Sequence, residues 1–198
     1  MRRDHAHRQR EIVAAATKVI SKEGLRALTV KRLAGEIGVT DAAIYRHFKN
    51  KEEVLAAVLA EFSAPMREVH ATILASDRPN MEKMEMLFTE KCLRLSRRPE
   101  HALIMRSIAE FRGDRRLNKR ATDMLSAYRD EVLSVIRAAQ ERGEMKRDTA
   151  PEHLYYLIIG GLHALVQQWE ASRRSFDLRA EGTNLWRALS GLIRDRQP

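Results

Sequence analysis

The sequence predicts an all-α protein, a short N-terminal unit of three helices followed by a larger helical bundle, and three observations carry that expectation. Apolar residues recur at three- and four-residue intervals along most of the chain, the spacing of one helix face. Helix breakers are sparse, with nine Gly and five Pro in 198 residues. The stretch Leu28–Lys51, LTVKRLAGEIGVTDAAIYRHFKNK, reads as two short helices joined at a glycine. A chain of this length and 44% hydrophobic content buries a sizeable core in one or two domains.

The elements follow in chain order. Met1 to His7, MRRDHAH, is expected to be a frayed basic arm, with Arg2 and Arg3 available to phosphates. A first helix is expected from Arg8 to Glu23, its apolar stripe formed by Ile12, Ala16, Val19 and Ile20 and its end set by Gly24. Thr29 is an N-cap candidate, because its hydroxyl can accept from an orphan N–H of the first turn. Val30, Leu33, Ala34 and Ile37 then follow at helical spacing, and Gly38 suits the left-handed conformation of a helix end. Thr40 is the next N-cap candidate, with Asp41 at the positive end of the helix dipole. Ile44 and Phe48, four apart, give this second helix its buried side.

A further helix starts at Lys51-Glu52-Glu53, carries Val54, Leu55, Val58, Leu59 and Phe62, and is expected to bend or end at Pro65. The domain boundary is placed at Glu61 to Pro65, giving domains 1–62 and 63–198. Beyond it, Met66–Ala75 is amphipathic and stops at Ser76-Asp77-Arg78-Pro79-Asn80. Met81–Arg97 carries Met84, Leu87, Phe88, Lys91, Cys92 and Leu95. Pro99 opens a helix reaching Phe111, and Gly113-Asp114 punctuates. Leu117–Glu141 is long and closed by Gly143. Thr149-Ala150-Pro151-Glu152 is a helix start, with proline in the first turn and an acid beside it. That helix runs to Ser172, and a last one from Asp177 to Arg194.

Function is read from what these helices present. Asp41, Ala42, Tyr45 and Arg46 fall on the outward side of the helix after Thr40. Small residues at a helix start let the backbone come close to a surface, and Tyr and Arg offer donors for phosphate oxygens and base edges. Such a helix-turn-helix enters a DNA major groove with the N-terminal end of its second helix leading. The alternative is that both helices are merely part of a helical core. The net charge of +9 and pI near 10 favour a polyanionic partner.

The ordered set Arg10-Glu11-Ile12, Ala14-Ala15-Ala16, Gly24, Thr29-Val30, Leu33-Ala34, Gly38-Val39-Thr40, Ala43-Ile44-Tyr45-Arg46-His47-Phe48 and Lys51-Glu52 resembles the N-terminal domain of the TetR family. The resemblance spans Arg8 to Phe62, and the rest of the chain resembles the family only in being helical and of suitable length. It implies a DNA-binding regulator, and it implies a DNA-backbone contact for Lys51, where a helix N-terminus and a lysine together suit a phosphate. The chain departs from the family's habit of glycine or a larger polar residue near Ala42 and Ala43, which leaves fewer groups for base readout. The phosphate candidates are Thr29, Lys31, Arg32, Thr40, Tyr45, His47 and Lys51. The base-reading candidates are Ala42, Ala43 and Arg46, alanine meeting a thymine methyl and arginine a guanine edge.

Two expectations concern the second domain. Leu154, Leu157, Ile158, Gly161, Leu162, Leu165 and Trp169 form a broad apolar face, and Leu185, Trp186, Leu189, Leu192 and Ile193 a similar one. Two such helices from each subunit make a four-helix interface across a two-fold axis, as the family does, although the same faces can bury within one subunit. Mid-helix Gly160 and Gly161 fit close backbone approach. Phe88, Cys92, Met105, Ile108, Phe111, Met124, Tyr128 and His163 are candidates to line an apolar effector cavity, although such stripes also make plain core. The expected protein is then a dimeric regulator, a repressor of a near-palindromic operator, released by a small apolar effector. The alternative is a ligand-independent DNA-binding protein acting through a protein partner, with Arg112–Arg120, RGDRRLNKR, as its patch.

Other classes are disfavoured. The seven histidines show no metal-ligand spacing and no phosphate loop follows a strand, so no catalytic residue, metal or cofactor is expected. A single Cys92 excludes an internal disulfide and suits a reducing cytosol. The opening residues lack a secretory pattern, and Leu154–Val166 is too short to cross a bilayer, so a cytoplasmic protein without a membrane partner is expected.

Overall fold

The computed structural model describes residues 2–102 and 115–195, with side chains from residue 5 onward. Its elements are α1 (Arg2–Glu23), a 3-10 turn (Leu25–Ala27), α2 (Val30–Ile37), α3 (Asp41–Tyr45), α4 (Lys51–Ala75), α5 (Asn80–Arg97), α6 (Arg115–Glu141), α7 (Pro151–Ala171) and α8 (Leu178–Ile193). No strand occurs among the described residues; the one β-type pairing is an isolated bridge between Met145 and Arg194. The chain divides into two compact units, residues 1–66 with 99–124, and residues 67–98 with 125–198.

The first unit is built on α1. Its stripe of Ile12, Ala16, Val19 and Ile20 is buried against Leu28, Leu33, Ala34, Ile44 and Phe48, and Val54, Leu55, Val58 and Leu59 of α4 close the same core. Leu117 and Ala121, the first buried residues of α6, join it. Two expectations on this unit are corrected. The arm is not frayed, because α1 starts at Arg2. The segment contains neither Gly nor Pro, Arg10 Nε donates to the Ala6 carbonyl at 3.4 Å, and the His5 ring packs on the His47 ring at 4.4 Å. Of the bend or end expected at Pro65, the end does not occur: α4 runs unbroken to Ala75. Pro65 and Glu61 lie on the exposed side, where water can meet the carbonyl that loses its donor, while buried Phe62, Ser63 and Met66 hold the other side.

In the second unit α8 packs against both α5 and α7. Met84, Leu87, Phe88, Cys92 and Leu95 of α5 meet a core that includes Leu154, Ile158, Leu162, Trp186 and Ile193. Phe88 and Trp186 pack with their rings tilted by 42° and 5.6 Å between centroids. The start of α5 has no cap of its own; the carboxylate of Glu144 accepts from Met81 N–H at 2.8 Å and from Asn80 Nδ2 at 3.0 Å. Gly143 precedes it with φ +70, the left-handed turn that ends α6. Among the described residues no helix is long and apolar enough to cross a membrane.

Candidate DNA-reading face and effector core

The reading face is set by two threonine caps and one glycine. Arg32 N–H donates to Thr29 Oγ1 at 3.0 Å, and Ala43 N–H donates to Thr40 Oγ1 at 3.3 Å. Between them Gly38 is left-handed, φ 69 and ψ 36, and turns the chain from α2 into α3. Ile44 and Phe48 point inward, 1% and 7% exposed. Phe48 N–H still donates to the Ile44 carbonyl at 3.0 Å, so the helical course continues in a single turn past Tyr45. The opposite side is open. Thr29, Lys31, Thr40, Asp41, Ala42, Tyr45 and Arg46 are exposed, Tyr45 by 53%.

The other four sequence candidates carry internal contacts. Arg32 is held by Glu23 at 2.6 Å and Glu36 at 2.8 Å, and Lys18 adds a 2.6 Å pair to Glu36. These bonds push the Arg32 pKa up and hold both carboxyls low, Glu23 through Arg32 and Glu36 through Lys18 first. Exposed pairs of this kind add little stability, but they tie α1 to α2. Ala43 is half-buried. His47 packs on His5, and its carbonyl accepts from Gln9 Nε2 at 3.4 Å. Lys51 reaches back to the Leu25 carbonyl at 3.4 Å. The start of α4 is also capped, since Glu53 N–H donates to Asn50 Oδ1 at 2.9 Å and Lys49 N–H donates to Glu53 Oε2 at 2.8 Å. The Asn50-x-x-Glu53 spacing was the sequence signal for this cap.

The effector candidates separate. Phe88 and Cys92 are buried, 2% and 0% exposed, in the core of the second unit. Tyr128 is half-buried there, while His163 lies on the exposed side of α7. Partial burial first, and then the charge of Lys91, lowers the His163 pKa. Met124 packs on the core of the first unit. Met105, Ile108 and Phe111 lie outside the described residues.

Two polar groups in the second unit were not singled out as site residues. Lys91 Nζ lies 4.2 Å from the centroid of the Tyr128 ring, and no carboxylate among the described residues pairs with it. His70, 3% exposed, pairs through Nδ1 with Glu131 at 2.9 Å, and its buried Nε2 has no hydrogen-bond partner. The signal for Lys91 was present: it stands four residues from Leu87 and four from Leu95, a charge on an apolar stripe. No cluster of three metal-ligating side chains occurs among the described residues.

The apolar faces called an interface divide. Leu154, Ile158, Leu162, Trp169, Trp186 and Ile193 are internal core. A Cβ at Gly161 would meet Leu189 and Leu185 of α8 at 3.5 and 3.8 Å, so Gly161 faces its own subunit, whereas Gly160 faces open space. Leu157 and Leu192 remain outward, 54% and 67% exposed.

Comparison with known proteins identifies the family. Residues 12–58 match the model "Bacterial regulatory proteins, tetR family" and residues 61–191 match "YsiA-like protein, C-terminal region". The chain is similar to the HTH-type transcriptional repressor BepR of Brucella suis, 23% identical over 189 residues, covering 91% of this chain and 88% of that one. The fold matches the ketosteroid transcriptional regulator KstR2 of Mycobacterium tuberculosis with TM-score 0.82, 20% identity and 96% of each chain covered. It also matches FadR of Bacillus subtilis, solved in complex with stearoyl-CoA, with TM-score 0.75 and 22% identity, covering 91% of this chain and 96% of that one. With family models spanning more than half of its length, the chain belongs to the TetR family of bacterial transcriptional regulators, DNA-binding proteins and not enzymes.

Proposed function

We propose that the protein is a dimeric, ligand-responsive repressor. Residues 1–62 read a near-palindromic operator, and residues 63–198 hold the effector and the subunit interface. The observation that carries the reading is the exposed row Thr40, Ala42, Tyr45 and Arg46 on and beside α3, opposite the buried Ile44 and Phe48. Thr29, Lys31, Thr40, Tyr45 and Lys51 meet phosphates, and Ala42 and Arg46 meet base edges. Two such faces about 34–36 Å apart reach successive major-groove turns of one duplex. The outward Leu157 and Leu192, with Gly160 one turn along α7 from Leu157, supply the contact between subunits. FadR of Bacillus subtilis was solved with stearoyl-CoA, a ligand with a long apolar chain, which supports an effector with an apolar portion here. An effector that prefers the state with the faces wrongly spaced weakens DNA binding by its difference in affinity for the two states.

Selection of bound sites from random DNA, at two salt concentrations, tests this reading. A two-fold-related site with half-sites one helical turn apart is expected, bound more weakly at high salt. Tyr45→Ala then lowers affinity for the selected site without changing thermal stability, because Tyr45 is exposed and outside the core. A site without two-fold symmetry, or unchanged affinity in Tyr45→Ala, overturns it. If no small molecule shifts operator affinity, the ligand-independent alternative stands, with exposed Arg115, Arg116, Lys119 and Arg120 as its basic surface.

A further inference from the structure

The second unit contains a charge that its own core does not explain. Lys91 stands on α5 between Phe88 and Cys92, both buried, and Leu95, 6% exposed. Its ammonium rests 4.2 Å from the centre of the Tyr128 ring. A cation over an aromatic face recovers part of its lost hydration, but not what a carboxylate returns. Lys91 is half-buried, and this partial loss of water depresses its pKa to about 8. Natural cores pair such charges or dispense with them.

A second unmet group stands against the same ring. His70 of α4 lies with its ring 5.5 Å from that of Tyr128. Glu131 holds the His70 Nδ1 at 2.9 Å, and the Nε2 is buried without a partner. Ionised Glu131 favours a proton on Nδ1, which leaves Nε2 a lone pair in the neutral ring and an N–H donor in the charged one. Among the described residues the ionisable neighbours on the packed helices are Cys92, Tyr155, His163 and Glu131, the last already engaged by His70.

We propose that Lys91, with Tyr128 beneath it and His70 at the same ring, is the anion-binding end of the effector site, and that the effector is an apolar molecule carrying a carboxylate. This rests on the reading that the second unit binds an effector. The carboxylate neutralises Lys91 and accepts from His70 Nε2–H in its charged form. A site arranged this way rejects a neutral analogue of the same shape, because that analogue leaves the lysine unpaired.

The test uses the full chain and two matched probe pairs, dodecanoate with dodecanamide and naphthylacetate with naphthylacetamide. Titration calorimetry gives affinities, and thermal unfolding without probe gives stability. At least one carboxylate is expected to bind about tenfold tighter than its amide, the preference worth one charge-assisted contact. Lys91→Met is expected to erase that preference while leaving the amide's affinity within about twofold. The same variant is expected to melt no lower than the native chain without ligand, since it removes an unpaired, half-buried charge. Amides and carboxylates binding equally to the native chain, or a preference that survives Lys91→Met, overturns the proposal and leaves the effector reading standing. Neither pair binding also overturns it, and loss of the effector reading then shows separately, as operator affinity that no small molecule shifts. A Lys91→Met chain that melts well below the native one assigns the lysine a structural role and overturns the proposal as well.

Discussion

At the scale of one residue, the cost of burying Lys91 is legible in pH. Its folded pKa is about 8 against an ordinary value of 10.5, depressed by burial. Between those two values the unfolded chain keeps the proton and the folded chain has released it. Stability therefore rises with pH across that window, because the unfolded state binds more protons there. Below pH 8 both states are charged and the folded one carries the whole penalty. The surroundings titrate too: burial raises the Cys92 thiol to about 11 and pushes Tyr128 up. A difference between two chains that share those groups isolates the lysine. Denaturant unfolding of the native chain and of Lys91→Met is expected to show the variant ahead at pH 7. The gap should close as pH rises from about 8 to 10.5. A gap that is flat over this range means that the ammonium reaches water.

At the scale of elements, the crossing of α5 and α8 depends on a missing side chain. A Cβ at Gly182 would stand 2.5 Å from Cys92 Sγ and 3.0 Å from Cys92 Cβ. Alanine there gains up to about 1 kcal/mol of helix propensity but forces two packed helices apart, which costs about 1–3 kcal/mol. Gly182→Ala is thus expected to lower the midpoint of denaturant unfolding. In a Cys92→Ala background, with the sulfur gone, its cost should shrink by about 1 kcal/mol, the signature of two groups in contact. Equal costs in both backgrounds would show that the crossing yields elsewhere. No spacing rule marks this pair, and Cys92 reads from sequence as a cavity residue. The same limit explains what else the sequence hid. Thr29, Gly38, Thr40 and Gly143 act on atoms within a few residues, and local signals found them all. Glu144 capping α5 from sixty-three residues away, and Leu117 joining the core of the first unit, rest on packing that the linear pattern does not encode. Pro65 misled for the opposite reason: a strong local signal was overruled by the solvent on one side of α4 and the core on the other.

At the scale of the whole molecule, the proposed function requires copies of the chain to act together. On that proposal one α3 would offer only a few phosphate and base contacts, too few to hold a specific site at physiological salt. Two joined copies turn the second contact into an intramolecular event, worth about 10²–10⁴ in affinity without any new contact. The outward residues of α7 and α8 are suited to that joining. Leu157, Gly160 and Ala164 recur at helical spacing on one, and Ala188, Gly191 and Leu192 on the other, all exposed. Leu157 and Leu192 are the large ones, 54% and 67% exposed, so charges placed there leave the internal core of Ile158, Leu162 and Trp186 untouched. The double variant Leu157→Glu with Leu192→Glu is expected to sediment as a monomer with unchanged helical content and buried tryptophans. Its affinity for the selected operator should fall at least about 100-fold. The slope of log affinity against log salt should drop to about half, because half as many phosphates are neutralised. A monomer that binds as tightly as the native protein would show that one reading face suffices. A variant that still sediments as a dimer would place the subunit contact on another surface.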